Sequence, residues 1–239
     1  MTTVPAVVVG QQVDQESTET IQVDWIEALN NSNSLKSFYL ESSGLMLANT
    51  LFIGIEGISN QLMTFTSNIG KISSYRTLEE HQLRDNQKFV LGEYITDGEK
   101  VFSTIIGWKW GDRWTKEFEV ISKNHDDFTP EIDSVNLARE KWQQFANQHR
   151  PDLIVEEVFS ESGKYFNRGN QSVGKEIVKA YSYMDNESYN IALEPLKVLQ
   201  INWKIIFEIG IFRAGGEGLY TLIWGKEDDA WKLLLDFNF

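Results

Sequence analysis

Apolar and polar positions change rhythm several times along this chain. In DWIEALNNSN, Trp25, Ile26 and Leu29 fall at helical spacing, with Asp24 as N-cap and an Asn-rich end. From Lys88 the period becomes two. KFVLGEYITDGEKVFSTIIGWKWGDRWTKEFEVIS predicts three strands, with turns at Asp97-Gly98 and Gly111-Asp112. NHDDFTPEID, residues 124–133, carries acids, one proline and no period, as a linker does. The helical rhythm then restarts. SVNLAREKWQQFANQHR has Ser134 as N-cap and sets Val135, Leu137, Ala138, Trp142, Phe145 and Ala146 mostly on one face, stopping before Pro151. DLIVEEVF predicts a second short helix, GKYFNRG a brief strand, and SVGKEIVKAYSYM a third helix. LEPLKVLQINWKIIFEIGIFR, GLYTLIWGKE and AWKLLLDFNF read as long strands joined by AGGE and DD turns.

Helices followed by hairpins occur twice, and the identities bear this out at one offset. Trp142 lies 117 residues after Trp25, Gly174 after Gly57, Gly215 after Gly98 and Trp231 after Trp114. At that offset residues 104–120 and 221–237 share five identities, where ordinary composition gives roughly one. The chain therefore reads as a leader over 1–20, a first module over 21–123, a linker over 124–133 and a second module over 134–239. Each module is α+β, with helices on one face of a mostly antiparallel sheet.

Composition narrows the function classes. Hydrophobic residues make up 41% of the 239 and charged residues 24%, which suits packed domains. The formal net charge of −13 repels phosphate backbones, so no nucleic-acid partner is expected. The apolar runs are too short for a membrane helix, and the first residues lack the basic start of a secretory signal. Cysteine is absent, which removes thiolate chemistry and fits a cytoplasmic location.

Gly163-Lys164-Tyr165-Phe166, then Gly174-Lys175-Glu176-Ile177, then Trp224, Lys226, Asp228, Asp229, Trp231 and Lys232 form a pattern. This pattern resembles the nuclear transport factor 2-like superfamily, especially its SnoaL-like members, whose last hairpin has the form W-x-K-x-D-G-x-W-K-I. The first module keeps Trp108, Asp112 and Trp114 but has Thr115 where the second has Lys232, so it resembles the family less closely. The resemblance implies two tandem cones, each a curved sheet wrapped around N-terminal helices, with a cavity at the wide end. It also implies pairing through the sheets, either as a pseudo-dimer of the two modules or as a homodimer. Family members isomerise, cyclise, dehydrate or simply bind ligands.

Candidate chemistry centres on acids within apolar strands. Asp236 interrupts AWKLLLDF, and Glu119 occupies the same place in the first module. Such a carboxylate is either a general base or a solvated sheet-edge residue. Strand parity sets Trp231, Leu233, Leu235 and Phe237 on one face, and Lys232, Leu234, Asp236 and Asn238 on the other. Glu208 interrupts WKIIFEIGIF. It is either a buried base or an exposed residue of the convex face, and Leu91 is its counterpart at the 117 offset. Tyr165, Tyr181 and Trp203 are pocket candidates, with core packing as the alternative reading. The helix NLAREKWQQFANQH lacks the tyrosine of ketosteroid isomerase-like relatives. His81, His125 and His149 stand far apart, so no metal is expected, and no motif points to a cofactor. The expected function is binding of a small apolar or aromatic ligand in the second cone. The alternatives are an isomerase, cyclase or dehydratase using Glu208 or Asp236, and a filled structural module.

Overall fold

The computed structural model describes residues 17–125 and 127–238. The first module contains α1 (Thr18–Asn30), β1 (Tyr39–Leu47), β2 (Thr50–Ile53), α2 (Ile55–Ile69), β3 (Ile72–Arg84), β4 (Gln87–Thr96), β5 (Val101–Trp110) and β6 (Trp114–Lys123). The second contains α3 (Ile132–Asn147), a helical turn α4 (Pro151–Leu153) running into a π turn over Ile154–Val158, β7 (Phe159–Asn167) and β8 (Asn170–Val173). It continues with α5 (Lys175–Ala180), β9 (Ala192–Asn202), β10 (Ile205–Arg213), β11 (Glu217–Glu227) and β12 (Ala230–Asn238). The two six-stranded sheets have matching orders, β2-β1-β6-β5-β4-β3 and β8-β7-β12-β11-β10-β9. Among the described residues, β1–β6 and β7–β12 pair in parallel and the other neighbours pair antiparallel. No helix among the described residues is long and apolar enough to cross a membrane.

Each sheet is covered on both faces. On its concave face the first sheet holds α1 through Ile21, Trp25 and Leu29, which pack with Tyr94 and Trp108. The second holds α3 through Val135, Trp142 and Ala146, which pack with Ile206 and Trp224. The opposite faces meet each other in one apolar layer. Phe237 lies at its heart, stacked on Phe118 at 4.6 Å and close to Phe166 at 5.7 Å and Phe89 at 5.8 Å. Gly44 makes room for this cluster, because a Cβ there would stand 2.9 Å from the Phe166 ring. Two covered faces explain why β4, β5, β10 and β11 read as nearly unbroken apolar runs.

Several sequence expectations are corrected. Residues 1–16 of the expected leader lie outside the described residues, and Thr18 to Thr20 belong to α1. Ser17 caps that helix by accepting the Thr20 N–H at 3.2 Å, so Asp24 is an interior residue. The second module's helix starts at Ile132, inside the expected linker, with Glu131 rather than Ser134 at its N-cap. The long strand read from Leu193 to Arg213 is two strands. Trp203 and Lys204 form the turn between them, where Asn202 Oδ1 accepts the Lys204 N–H at 2.9 Å.

The repeat is real but does not hold one offset. Gly174, which caps α5 at φ 51°, matches Gly54, which caps α2 at φ 82°, and not Gly57. The last hairpin turns over three residues in the first module and over Asp228-Asp229 in the second, both aspartates having positive φ. Strand pairing therefore sets Leu45-Glu119-Ile106-Val90 against Tyr165-Asp236-Leu222-Glu208 as equivalent rows across the two sheets. The counterpart of Glu208 is Val90, and Leu91 faces the shared layer. One repeated device went unread. Asn30 brackets the backbone of Ile72, donating at 2.7 Å and accepting at 3.0 Å, and Asn147 does the same to Ile191 at 3.0 and 2.7 Å. Each asparagine ties the end of its long helix to the start of the following sheet segment.

Phe237→Ala should cost about 3–5 kcal/mol in urea unfolding, because it removes a ring packed by both modules. A loss below about 1 kcal/mol would show that the shared layer contributes little.

Candidate functional site

A β-bulge decides which residues face the second cone. Against β11, strand β12 carries one extra residue, Leu234, and its pairing with β7 is also broken there, between Leu233↔Phe159 and Leu235↔Lys164. Leu234 turns toward the shared layer and packs over Gly225, where a Cβ would stand 2.5 Å from it. Trp231 and Leu233 face the cone, Leu235 and Phe237 face the shared layer, and Asp236 faces the cone again. The parity expected for an unbroken strand is thus corrected: Asp236 shares the concave face with Trp231 and Leu233.

Asp236 lines a cavity of about 300 Å³ at the mouth of this cone. Its walls are aromatic and apolar, with Tyr165, Tyr183, Tyr189, Tyr220, Phe212 and Leu222 prominent. Tyr181 is fully buried behind the wall, and its hydroxyl donates to Asp236 Oδ2. The 3₁₀ turn Ser182–Asp185 carries Tyr183, and His149 Nδ1 secures it by donating to the Met184 carbonyl at 2.6 Å. Tyr165 is the strand neighbour of Asp236, and its ring meets Tyr181 edge-on at 5.0 Å. Asp236 is only 4% exposed and has no cation beside it among the described residues. Burial pushes its carboxyl up to about 7, with the Tyr181 hydrogen bond opposing part of the shift.

Glu208 lies in the same row, two strands over and so roughly 10 Å away. It is buried, not exposed on the convex face. Its Oε1 accepts from Tyr220 at 2.8 Å, and its Oε2 from Trp224 Nε1 at 2.9 Å and Arg139 Nη1 at 3.1 Å. Burial raises its carboxyl above the ordinary range, and the Arg139 charge opposes this. With both oxygens engaged and no place on the cavity wall, Glu208 braces Tyr220 and α3. The structure thus places Glu208, expected as a candidate base, behind the cavity wall and not on it. The expectation of Trp203 in the same pocket is corrected: it is 55% exposed on the β9–β10 turn, in a cleft between the modules.

The first cone solves the same problem differently. Glu119, the counterpart of Asp236, accepts from the hydroxyls of Tyr39 (2.6 Å) and Tyr94. Lys116, where the second module has Leu233, lies 3.0 Å from Glu119 and 3.5 Å above the Trp25 ring. Burial lowers the Lys116 ammonium to about 8, against the pull of Glu119. This ion pair and Trp25 are fully buried in the first cone, at the level where the second has its cavity. Among the described residues no three His, Asp or Glu side chains group as metal ligands.

No protein-family model matches the chain, and no curated protein does. Solved structures are similar to it. An NTF-2 like protein of unknown function from Shewanella oneidensis MR-1 is 15% identical with a TM-score of 0.40, over 45% of this chain and 97% of its own. A cystatin-like domain of unknown function from Nostoc punctiforme is 17% identical with a TM-score of 0.41, over 46% of this chain and 77% of its own. An NTF2-like protein from Cytophaga hutchinsonii is 13% identical with a TM-score of 0.37, over 45% and 96%.

Two outcomes are expected. The folded protein holds the Asp236 proton more tightly than the unfolded chain, whose ordinary value is 3.8. Stability at this site is therefore greatest in acid and declines as pH rises from about 4 to about 7, by roughly 4 kcal/mol at most. Asp236→Asn should remove that slope when the two proteins are compared by urea unfolding across this range. In the first cone, Lys116→Met should cost about 3–5 kcal/mol, and adding Glu119→Gln should recover most of it, because the charge left behind is what destabilises. Simple additivity of the two changes in a double-mutant cycle would refute the ion pair.

Proposed function

We propose that the second module binds a small ring-bearing molecule, with Asp236 accepting a hydrogen bond from its hydroxyl or amine. One observation carries this reading: Asp236 is a buried carboxylate with no cation beside it among the described residues, on the wall of a tyrosine-lined cavity. Its equivalent, Glu119, is neutralised by Lys116. A ligand donor would supply what Lys116 supplies in the first cone. The volume of about 300 Å³ suits a compact molecule, and tyrosine faces suit a ring or an ammonium group. The shared apolar layer supports reading the two modules as an internal pair. The lack of cysteine supports a cytoplasmic setting.

A second reading follows from the same acid. A carboxylate raised to about 7 is in the range of a general base, with the Tyr165 hydroxyl nearby as a proton donor. Asp236 would then take a proton from a bound ring compound, as isomerases, cyclases and dehydratases require.

The binding reading is tested with matched fragments, phenol and benzylamine against toluene, titrated by NMR. Saturable binding of the two donors is expected, about tenfold tighter than toluene, and Asp236→Asn should erase that difference. Equal shifts with all three fragments, or an unaltered preference in the variant, would refute the role given to Asp236.

A further inference from the structure

We propose that the cleft between the modules is a second ligand site, taking an amphipathic organic anion: a carboxylate on an apolar chain. The cleft has a volume of about 550 Å³, larger than the cone cavity. Its floor comes from both halves of the chain, Phe102 and Val120 from the first module and Ile205, Phe207 and Ile223 from the second. All five are buried; Phe102 belongs to the first module's core and the other four to the shared apolar layer, so the floor offers hydrocarbon contact.

The rim has the opposite character from the rest of the molecule. The chain carries 35 acidic and 22 basic residues. Yet Lys123, His125 and Lys204 are the charged or titratable side chains among the described residues lining the cleft, and no acid joins them. Neither lysine has a carboxylate partner among the described residues. The Lys204 ammonium stands 4.3 Å from the ring centre of Trp203 instead. Two unpaired ammonium groups at the mouth of an apolar hollow attract a carboxylate whose chain points inward.

The rim is held in place by the backbone. The His125 N–H donates to the Ile201 carbonyl at 3.2 Å, and Asn202 Nδ2 donates to the Lys123 carbonyl at 3.0 Å. The end of β6 and the β9–β10 turn are thus stitched together, which sets Lys123 and Lys204 on the same opening. Trp203, over half exposed on that turn, offers an apolar face that a bound chain would cover. The far wall is α2, through Gln61 and Phe65. That helix has 15 residues where its counterpart α5 has 6, so the second module offers no comparable wall.

Octanoate and octan-1-ol are the probes, measured by calorimetry on the full chain. Octanoate should bind at one saturable site. Its affinity should fall at least about tenfold in Lys123→Glu/Lys204→Glu and in Trp203→Ala, all exposed positions whose variants keep the fold by circular dichroism. Octan-1-ol should bind at least about tenfold more weakly, and Asp236→Asn should leave octanoate binding unchanged. The proposal is overturned by no saturable octanoate binding, by equal binding of the alcohol, or by full affinity in the double lysine variant. Loss of octanoate binding in Asp236→Asn would also overturn it, by placing the anion in the second cone.

Discussion

The apolar layer between the two sheets is the contact on which the rest of this molecule depends. A sheet with helices on only one face leaves the other open to water, and each module here covers that face with its twin. Phe118 and Phe237 stack at the centre, one from the last strand of each module. Both candidate sites lie around that layer. The concave faces point away from it, and the cleft opens at its edge.

Duplication with one face held in common leaves the other faces free to diverge. The two cones keep an acid at the same sheet position, Glu119 and Asp236, but differ in what surrounds it. Lys116 in place of Leu233 gives the first cone a buried cation that satisfies the acid. The second leaves the acid with one tyrosine hydroxyl and a hollow. The same row adds Glu208 where the first module has Val90, and there the protein supplies every partner itself. Of these buried acids, Asp236 is the one with no positive charge nearby and a cavity in front of it.

Much of the architecture was legible because it is local. The tight turns at Asp97-Gly98 and Asp228-Asp229, and the tryptophans of the last hairpins, marked the strands. Helix α3 showed itself by the spacing of Val135, Trp142 and Ala146. The stretch from Lys36 to Arg84 was less legible. Strand β3 is an edge strand whose side chains alternate only between exposed and half-buried, so its apolar signal is weak. Helix α2 buries only Ile58 and Leu62 fully. The single offset of 117 worked as a detector and failed as an alignment, because the turns of the two modules differ in length.

By itself the sequence determined the α+β class, the duplication and the presence of acids inside apolar strands, since periodicity, turn chemistry and self-similarity are properties of neighbours along the chain. Tertiary structure alone decided which acid lines a cavity. One bulge residue at Leu234 moves Asp236 onto the concave face with Trp231, against the parity of an unbroken strand. Arg139, 69 positions from Glu208, occupies that carboxylate, whereas among the described residues Asp236 has the Tyr181 hydroxyl and no cation. Trp203 looked like part of a strand inside a pocket and became the rim of a cleft between modules. Burial, register and distant charge partners set these outcomes, and none of them is written in the order of adjacent residues.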